Sequence, residues 1–171
     1  MYYAQGDLDT ALHYFTKALE TEREIGNKEG IATSLNNVGY IYYSQGDLET
    51  VFKYCNQSFE IYKELGDKEG ISTCLNYLGE IHRAQGETEK AIDYHTQALE
   101  MSRELGNKEG ITKCLYSLGL AYKRLKQPIK AEQYFLQALE LAKEMKIEKS
   151  NLAKMIIQNL KRIREKQQAV S

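Results

Sequence analysis

The run Leu35-Asn36-Asn37-Val38-Gly39-Tyr40-Ile41-Tyr42-Tyr43-Ser44-Gln45-Gly46-Asp47 decides how this chain folds. Leu35, Val38 and Tyr42 step by three and four, the spacing of one face of a helix. Gln45-Gly46 ends that helix, because glycine takes the left-handed conformation after a last turn without strain. Asp47 then offers an oxygen to the free backbone N–H groups of a following helix. Upstream, Ile31 extends the first stripe and Asn27 caps it, with Lys28 and Glu29 in the first turn. Downstream, Leu48, Val51, Phe52, Cys55, Ser58, Phe59, Tyr62 and Leu65 form a second helical stripe, which Gly66 stops. Two helices joined by tight turns thus fill residues 27–66 almost completely.

The unit recurs. All 12 glycines fall into four series of three with a period of 40: Gly6, Gly46, Gly86; Gly26, Gly66, Gly106; Gly30, Gly70, Gly110; Gly39, Gly79, Gly119. Residues 6–45 and 46–85 share 18 identities, and 46–85 and 86–125 share 16, so the period belongs to the whole unit and not to its turns alone. Tyr14, Tyr54, Tyr94 and Tyr134 recur with it and read as architectural, whereas Tyr40, Tyr43, Tyr77 and Tyr116 do not recur. A helix pair of this kind cannot hide its stripes alone, so successive units must stack. A propeller blade has a similar period but needs strands and its usual tryptophan, and this chain has no tryptophan.

The turn pattern separates the helical solenoids. Leu35-x-x-Val38-Gly39-x-x-Tyr42-x-x-x-Gly46 returns as Leu75-x-x-Leu78-Gly79-x-x-His82-x-x-x-Gly86, followed by Ala91, Tyr94 and Ala98. It returns again as Leu115-x-x-Leu118-Gly119-x-x-Tyr122, followed by Ala131, Tyr134, Phe135 and Ala138. This resembles the tetratricopeptide repeat (TPR), in a long form similar to Pins-type adaptors and microbial regulatory TPR proteins. The familiar unit has about 34 residues; here the second helix and its exit turn are longer, leucine stands at the family's tryptophan position, and the usual proline is absent. The resemblance implies an all-α fold, a right-handed α-α superhelix of antiparallel helix pairs. A single array is expected over residues 1–171: a partial first repeat (1–26), repeats at 27–66, 67–106 and 107–146, a capping helix (147–167) and a frayed tail (168–171). Gly39 and its equivalents, with Ala11, Ala91 and Ala131, are expected to let the two helices of a unit approach closely.

The start of the chain, Met1-Tyr2-Tyr3-Ala4-Gln5-Gly6, aligns with Ile41 to Gly46 and therefore reads as the end of a helix. The stripe Leu8, Ala11, Leu12, Phe15 and Leu19 is then partly without a partner, which points to a piece of a longer array or to end-to-end self-association through this uncapped helix.

Composition narrows the function. Lys plus Arg (23) against Asp plus Glu (24) gives a net charge of −1, which argues against a nucleic-acid partner. The charge is uneven, however: from Leu141 onward eight basic and three acidic residues leave the end basic and the body acidic. No apolar run reaches the length of a membrane span and no signal-peptide pattern opens the chain, so no membrane partner and a cytoplasmic location are expected. The 3 cysteines, Cys55, Cys74 and Cys114, are odd in number and read as reduced core thiols. Cys74 and Cys114 occupy equivalent places.

Chemistry is absent from the motifs. There is no HExxH, CxxC, GxSxG or phosphate-loop string, and His82 and His95 replace packing residues, so no enzyme, cofactor or metal is expected. The TPR resemblance implies instead that the first helices line a concave groove, with ligand contact three before, one after and four after the helix glycine. Those positions hold Asn36, Tyr40 and Tyr43; Asn76, Glu80 and Arg83; Tyr116, Leu120 and Lys123, with Arg124 adjacent. Asparagines bond the edges of an extended peptide and tyrosines supply rigid contact area, and the groove turns basic toward its end. A protein or peptide ligand with an acidic segment suits it. Tyr40, Glu80 and Leu120 stand where the family's clamp for chaperone tails wants asparagine, so that ligand is not expected. A non-catalytic interaction scaffold leads, with a sensor segment of a larger signalling or transcription protein and a self-assembling array as alternatives.

Overall fold

The computed structural model describes residues 5–168, and its side chains from Asp7. Met1 to Ala4 and the tail from Ala169 lie outside the described residues, as do most of the residues on which the reading of the start and of the frayed tail falls. Among the described residues there are eight helices and no strand: α1 (Gln5–Glu24), α2 (Lys28–Gln45), α3 (Leu48–Leu65), α4 (Lys68–Gln85), α5 (Thr88–Glu104), α6 (Lys108–Arg124), α7 (Pro128–Glu144) and α8 (Asn151–Gln168). They form two compact units, one up to Ile81 and the other from His82, with the boundary inside α4.

The capping chemistry predicted from sequence sets the helix starts. Asn27, Asp47, Asp67 and Asn107 each accept the backbone N–H three residues on, at 3.2, 3.1, 3.0 and 2.9 Å. The bonds from Thr50 hold the Asp47 carboxyl below the usual carboxylate range. Pro128 begins α7, where its missing N–H has no partner to lose. α8 begins at Asn151, later than the expected boundary at 147, because Ser150 is the residue whose oxygen caps it, accepting from Ala153 N at 3.1 Å.

Helix ends use the left-handed conformation, with Gly46 at φ 83° and Gly66 at φ 67°. In the last repeat the glycines are gone and Lys126 (φ 57°) and Lys146 (φ 59°) take their places and their conformation. That costs an L side chain about 1–2 kcal/mol.

In the first unit α2 and α3 run antiparallel, so that Lys28 at the start of α2 pairs with Glu64 at the end of α3 at 2.8 Å. Leu35, Val38 and Ile41 of α2 are buried with Val51, Cys55 and Tyr62 of α3 and Leu75, Leu78 and Ile81 of α4. On α1, Leu8, Ala11, Leu12 and Phe15 are only half-buried, and Leu19 is buried. The second unit repeats the scheme, Lys108 pairing with Glu144 at 2.8 Å. Its core is Ala91, Ala98, Leu99, Leu115, Leu118, Ala121, Ala131, Phe135 and Ala138, and Ile156, Leu160 and Ile163 of α8 are buried as well. Each pair carries an aromatic stack near its turn: Tyr42 on Tyr54, His82 on Tyr94 and Tyr122 on Tyr134, with centroids 5.8, 5.1 and 5.3 Å apart. His82 is thus a packing residue, bonded through Nδ1 to Glu87 at 2.6 Å.

The close-crossing glycines are not equivalent. A Cβ at Gly119 would meet the buried Phe135 ring at 2.6 Å, whereas one at Gly39 would touch the Tyr54 Cβ at an ordinary 3.5 Å. Gly39→Ala should therefore be neutral or stabilise by up to about 1 kcal/mol through helix propensity, while Gly119→Ala overpacks the core and costs about 1–3 kcal/mol. Lys126→Gly should stabilise by about 1 kcal/mol by relieving the left-handed side chain. Urea melts of the three variants check all three signs.

Candidate ligand-binding faces

In the first unit the candidate residues lie on α2 and α4. Tyr40 is 40% exposed, and its ring lies 6.5 Å from that of Tyr77, tilted by 51°. Burial, with Tyr40 close by, pushes the Tyr77 hydroxyl up to about 12. One turn on, the Tyr43 hydroxyl donates to Glu80 at 3.2 Å, so these two residues face each other from adjacent first helices. Asn76 is half-buried on α4.

Asn36 departs from the expectation. It is buried, and its Oδ1 accepts from the Ser58 hydroxyl at 2.6 Å and from the Cys74 thiol at 3.5 Å. The reason is local: Ser58 on α3 and Cys74 on α4 are both buried polar groups, and Asn36 offers them an acceptor, beside the Cys55 carbonyl that also lies within reach of Ser58 at 2.9 Å. Its Oδ1 thereby ties α2 to α3 and α4. Tyr77, by contrast, was not among the expected positions, although its failure to recur with the repeat set it apart in the sequence.

In the second unit Arg83 is half-buried near the end of α4, and its carbonyl accepts from Arg124 Nη1 at 3.5 Å. Tyr116 leans inward on Phe135, with ring centroids 5.8 Å apart, and Leu120 is half-buried. Lys123 donates to Asn159 of α8 at 2.6 Å. Burial, followed by the charges of Arg162 and Lys166, pulls its ammonium below the usual lysine range. Arg162 and Lys166 are exposed, one helical turn apart on α8, and the expected site lacked both. The net positive end of the chain was the signal that pointed to them. Arg164 of the same helix is paired with Glu132 at 2.8 Å.

Among the described residues no group of three or more His, Cys, Asp and Glu is placed to hold a metal. No described helix is long and apolar enough to cross a membrane.

The family model of the tetratricopeptide repeat matches residues 1–64, 30–104 and 75–144. The chain belongs to the tetratricopeptide repeat family. No curated protein matches it in sequence. Solved structures are similar in fold. A Rap protein complexed with competence and sporulation factor superposes with a TM-score of 0.85 at 22% identity, covering 97% of this chain and 46% of that one. BtubC (BKLC) from P. vanneervenii gives 0.77 at 18% identity over 94% of this chain and 66% of that one. A STAND signal-transduction ATPase with a tetratricopeptide repeat sensor, from Pyrococcus horikoshii, gives 0.73 at 23% identity over 93% of this chain and 24% of that one. At such identities the likeness shows the TPR fold and no more. The chain spans between 24% and 66% of the length of these three proteins.

The structural and surface roles within the first TPR face separate by mutation. Asn36→Ala removes the acceptor of the buried Cys74 thiol and leaves the Ser58 hydroxyl only the Cys55 carbonyl at 2.9 Å, and should cost about 1–3 kcal/mol. Tyr40→Ala, at a position 40% exposed, should lower the melting temperature less than Asn36→Ala does, as thermal denaturation of the two variants will report.

Proposed function

We propose that this chain is a non-catalytic binding module that takes a peptide or partner helix on the faces of its first helices. In the first unit the binding residues are Tyr40, Tyr43, Asn76 and Glu80 together with Tyr77. In the second they are Arg83, Leu120, Lys123 and Arg124, with Tyr116 at the base. The observation that carries this reading is the Tyr40–Tyr77 pair, an aromatic face left half open to solvent on adjacent helices of a TPR fold. Tyrosine there contributes a large rigid contact area at little entropic cost. The likeness to a Rap protein solved with competence and sporulation factor supports a small polypeptide as the kind of ligand.

An acidic segment in that ligand is the finer part of the proposal. The ammonium of Lys123 has Arg162 and Lys166 as its charged neighbours, a concentration of positive charge that an anionic side chain relieves. Charge complementarity of this kind raises association rates and fixes the register of a ligand.

A second reading has its own support. The chain matches 24% of a STAND protein that carries a TPR sensor, so a sensing segment whose occupancy is read by another part of a longer protein is consistent with the same faces. Protein binding is common to both.

A short-peptide library displayed on beads and screened against the chain tests the proposal, with enriched peptides expected to pair an aromatic residue with acidic ones. Against such a peptide, Lys123→Glu should weaken binding about tenfold, equivalent to about 1.4 kcal/mol, and Tyr40→Ala by a similar factor. Added salt should weaken the Lys123 contribution selectively, through screening. Titration calorimetry reads both. Enrichment of basic peptides, or binding indifferent to both substitutions, overturns the assignment.

A further inference from the structure

The first unit departs from the repeat at two registers of α3. The place of Cys55 is taken by Phe15, His95 and Phe135 in the other second helices, a ring every time, and that of Val51 by Ala11, Ala91 and Ala131. The second unit shows what the ring does. Phe135 is buried against Gly119, where an added Cβ would meet it at 2.6 Å, and the Tyr116 ring lies over it with centroids 5.8 Å apart. A cysteine does not reach that far, and the extra methyl groups of Val51 replace only part of the ring. Gly39 accordingly offers an added Cβ nothing nearer than the Tyr54 Cβ at 3.5 Å.

The space left by the missing ring is a crevice. It measures about 10 Å³, room for roughly one water, and mostly apolar walls line it, from Asn36, Gly39, Tyr40, Val51, Cys55 and Tyr77. Two of its polar groups are turned to the core: the Cys55 thiol donates to the Cys74 carbonyl at 3.4 Å, and the Asn36 Oδ1 accepts from Ser58 at 2.6 Å. Tyr40, 40% exposed, is the lining residue that meets solvent most, so the crevice opens on the aromatic face. An apolar group that displaces a poorly held water from such walls gains affinity.

We propose that this crevice anchors one small aliphatic side chain of the bound polypeptide, an alanine or a valine, which does from outside what Phe135 does from within the second unit. The occupant is apolar because the walls are, and because an apolar ring fills the matching registers around Gly119. It is small because Val51, larger than the alanine of every other unit, narrows the space to about one methyl group. The anchor rests on the proposed function and deepens it: beside an aromatic residue on the Tyr40–Tyr77 face, the ligand carries a small aliphatic one.

The test uses the full chain in solution. Xenon, an apolar atom of about methyl size that apolar cavities take up, is the first probe. Under xenon pressure the NMR signals of Gly39 and Val51 should shift in a saturable way, while those of Gly119 and Ala131 stay fixed. Val51→Ala combined with Cys55→Phe rebuilds the second unit's pair and should fold without the xenon shifts. Should that variant not fold, Gly39→Ala, which narrows the same space without a clash, should weaken them. Peptides enriched from the library are the second probe. Replacing their small aliphatic residue by glycine should weaken binding about fourfold, the effect of one buried methyl, and replacing it by phenylalanine about tenfold, through overpacking. Silence of Gly39 and Val51 under xenon, or enriched peptides indifferent to that residue, overturns the anchor while leaving peptide binding in place. If no peptide is enriched, the proposed function fails and takes the anchor with it.

Discussion

A helix of about eighteen residues, tied to the next by a short turn, has an apolar stripe that it cannot cover alone, and everything else in this protein follows from that. The stripe is removed from water only when a second helix folds back on it and the next pair packs against both. The turn must therefore be tight and must reverse the chain, which is why a left-handed residue closes each helix from α1 to α7 and an aspartate or asparagine opens α2, α3, α4 and α6. Where glycine gives way to Lys126 and Lys146, the backbone keeps the same conformation. The reversal is needed by the packing, and the lysines bear its strain.

Repetition then distributes chemistry unevenly. The same register puts Gly39 against the Tyr54 Cβ and Gly119 against the ring of Phe135, so one glycine is a habit of the repeat and the other a steric necessity. It also stacks His82 on Tyr94 where neighbouring units stack tyrosine on tyrosine. A substituted position inside an array is read best through what its fixed neighbours demand.

The candidate faces show where sequence reasoning lost its hold. Positions relative to the helix glycine placed Tyr40, Tyr43, Glu80 and Lys123 on the first helices, but such positions give an angle around a helix axis and not a depth. Asn36 shares the angle and is drawn inward by Ser58, whereas Tyr77, one residue past an expected contact, forms the other half of the aromatic pair. Arg162 and Lys166 come from the last helix, and no pattern within one repeat connects them to Lys123.

By itself the sequence determined the helix pairs, their period of 40, their caps and the family, because each of these is written in local spacing and in residues with one conformational use. Tertiary structure alone decided which side chains are spent inside and which remain at the surface. Those outcomes depend on contacts between helices, 22 residues apart in the chain for Asn36 and Ser58 and 38 for Asn36 and Cys74, where the shape of one side chain sets the room left for another.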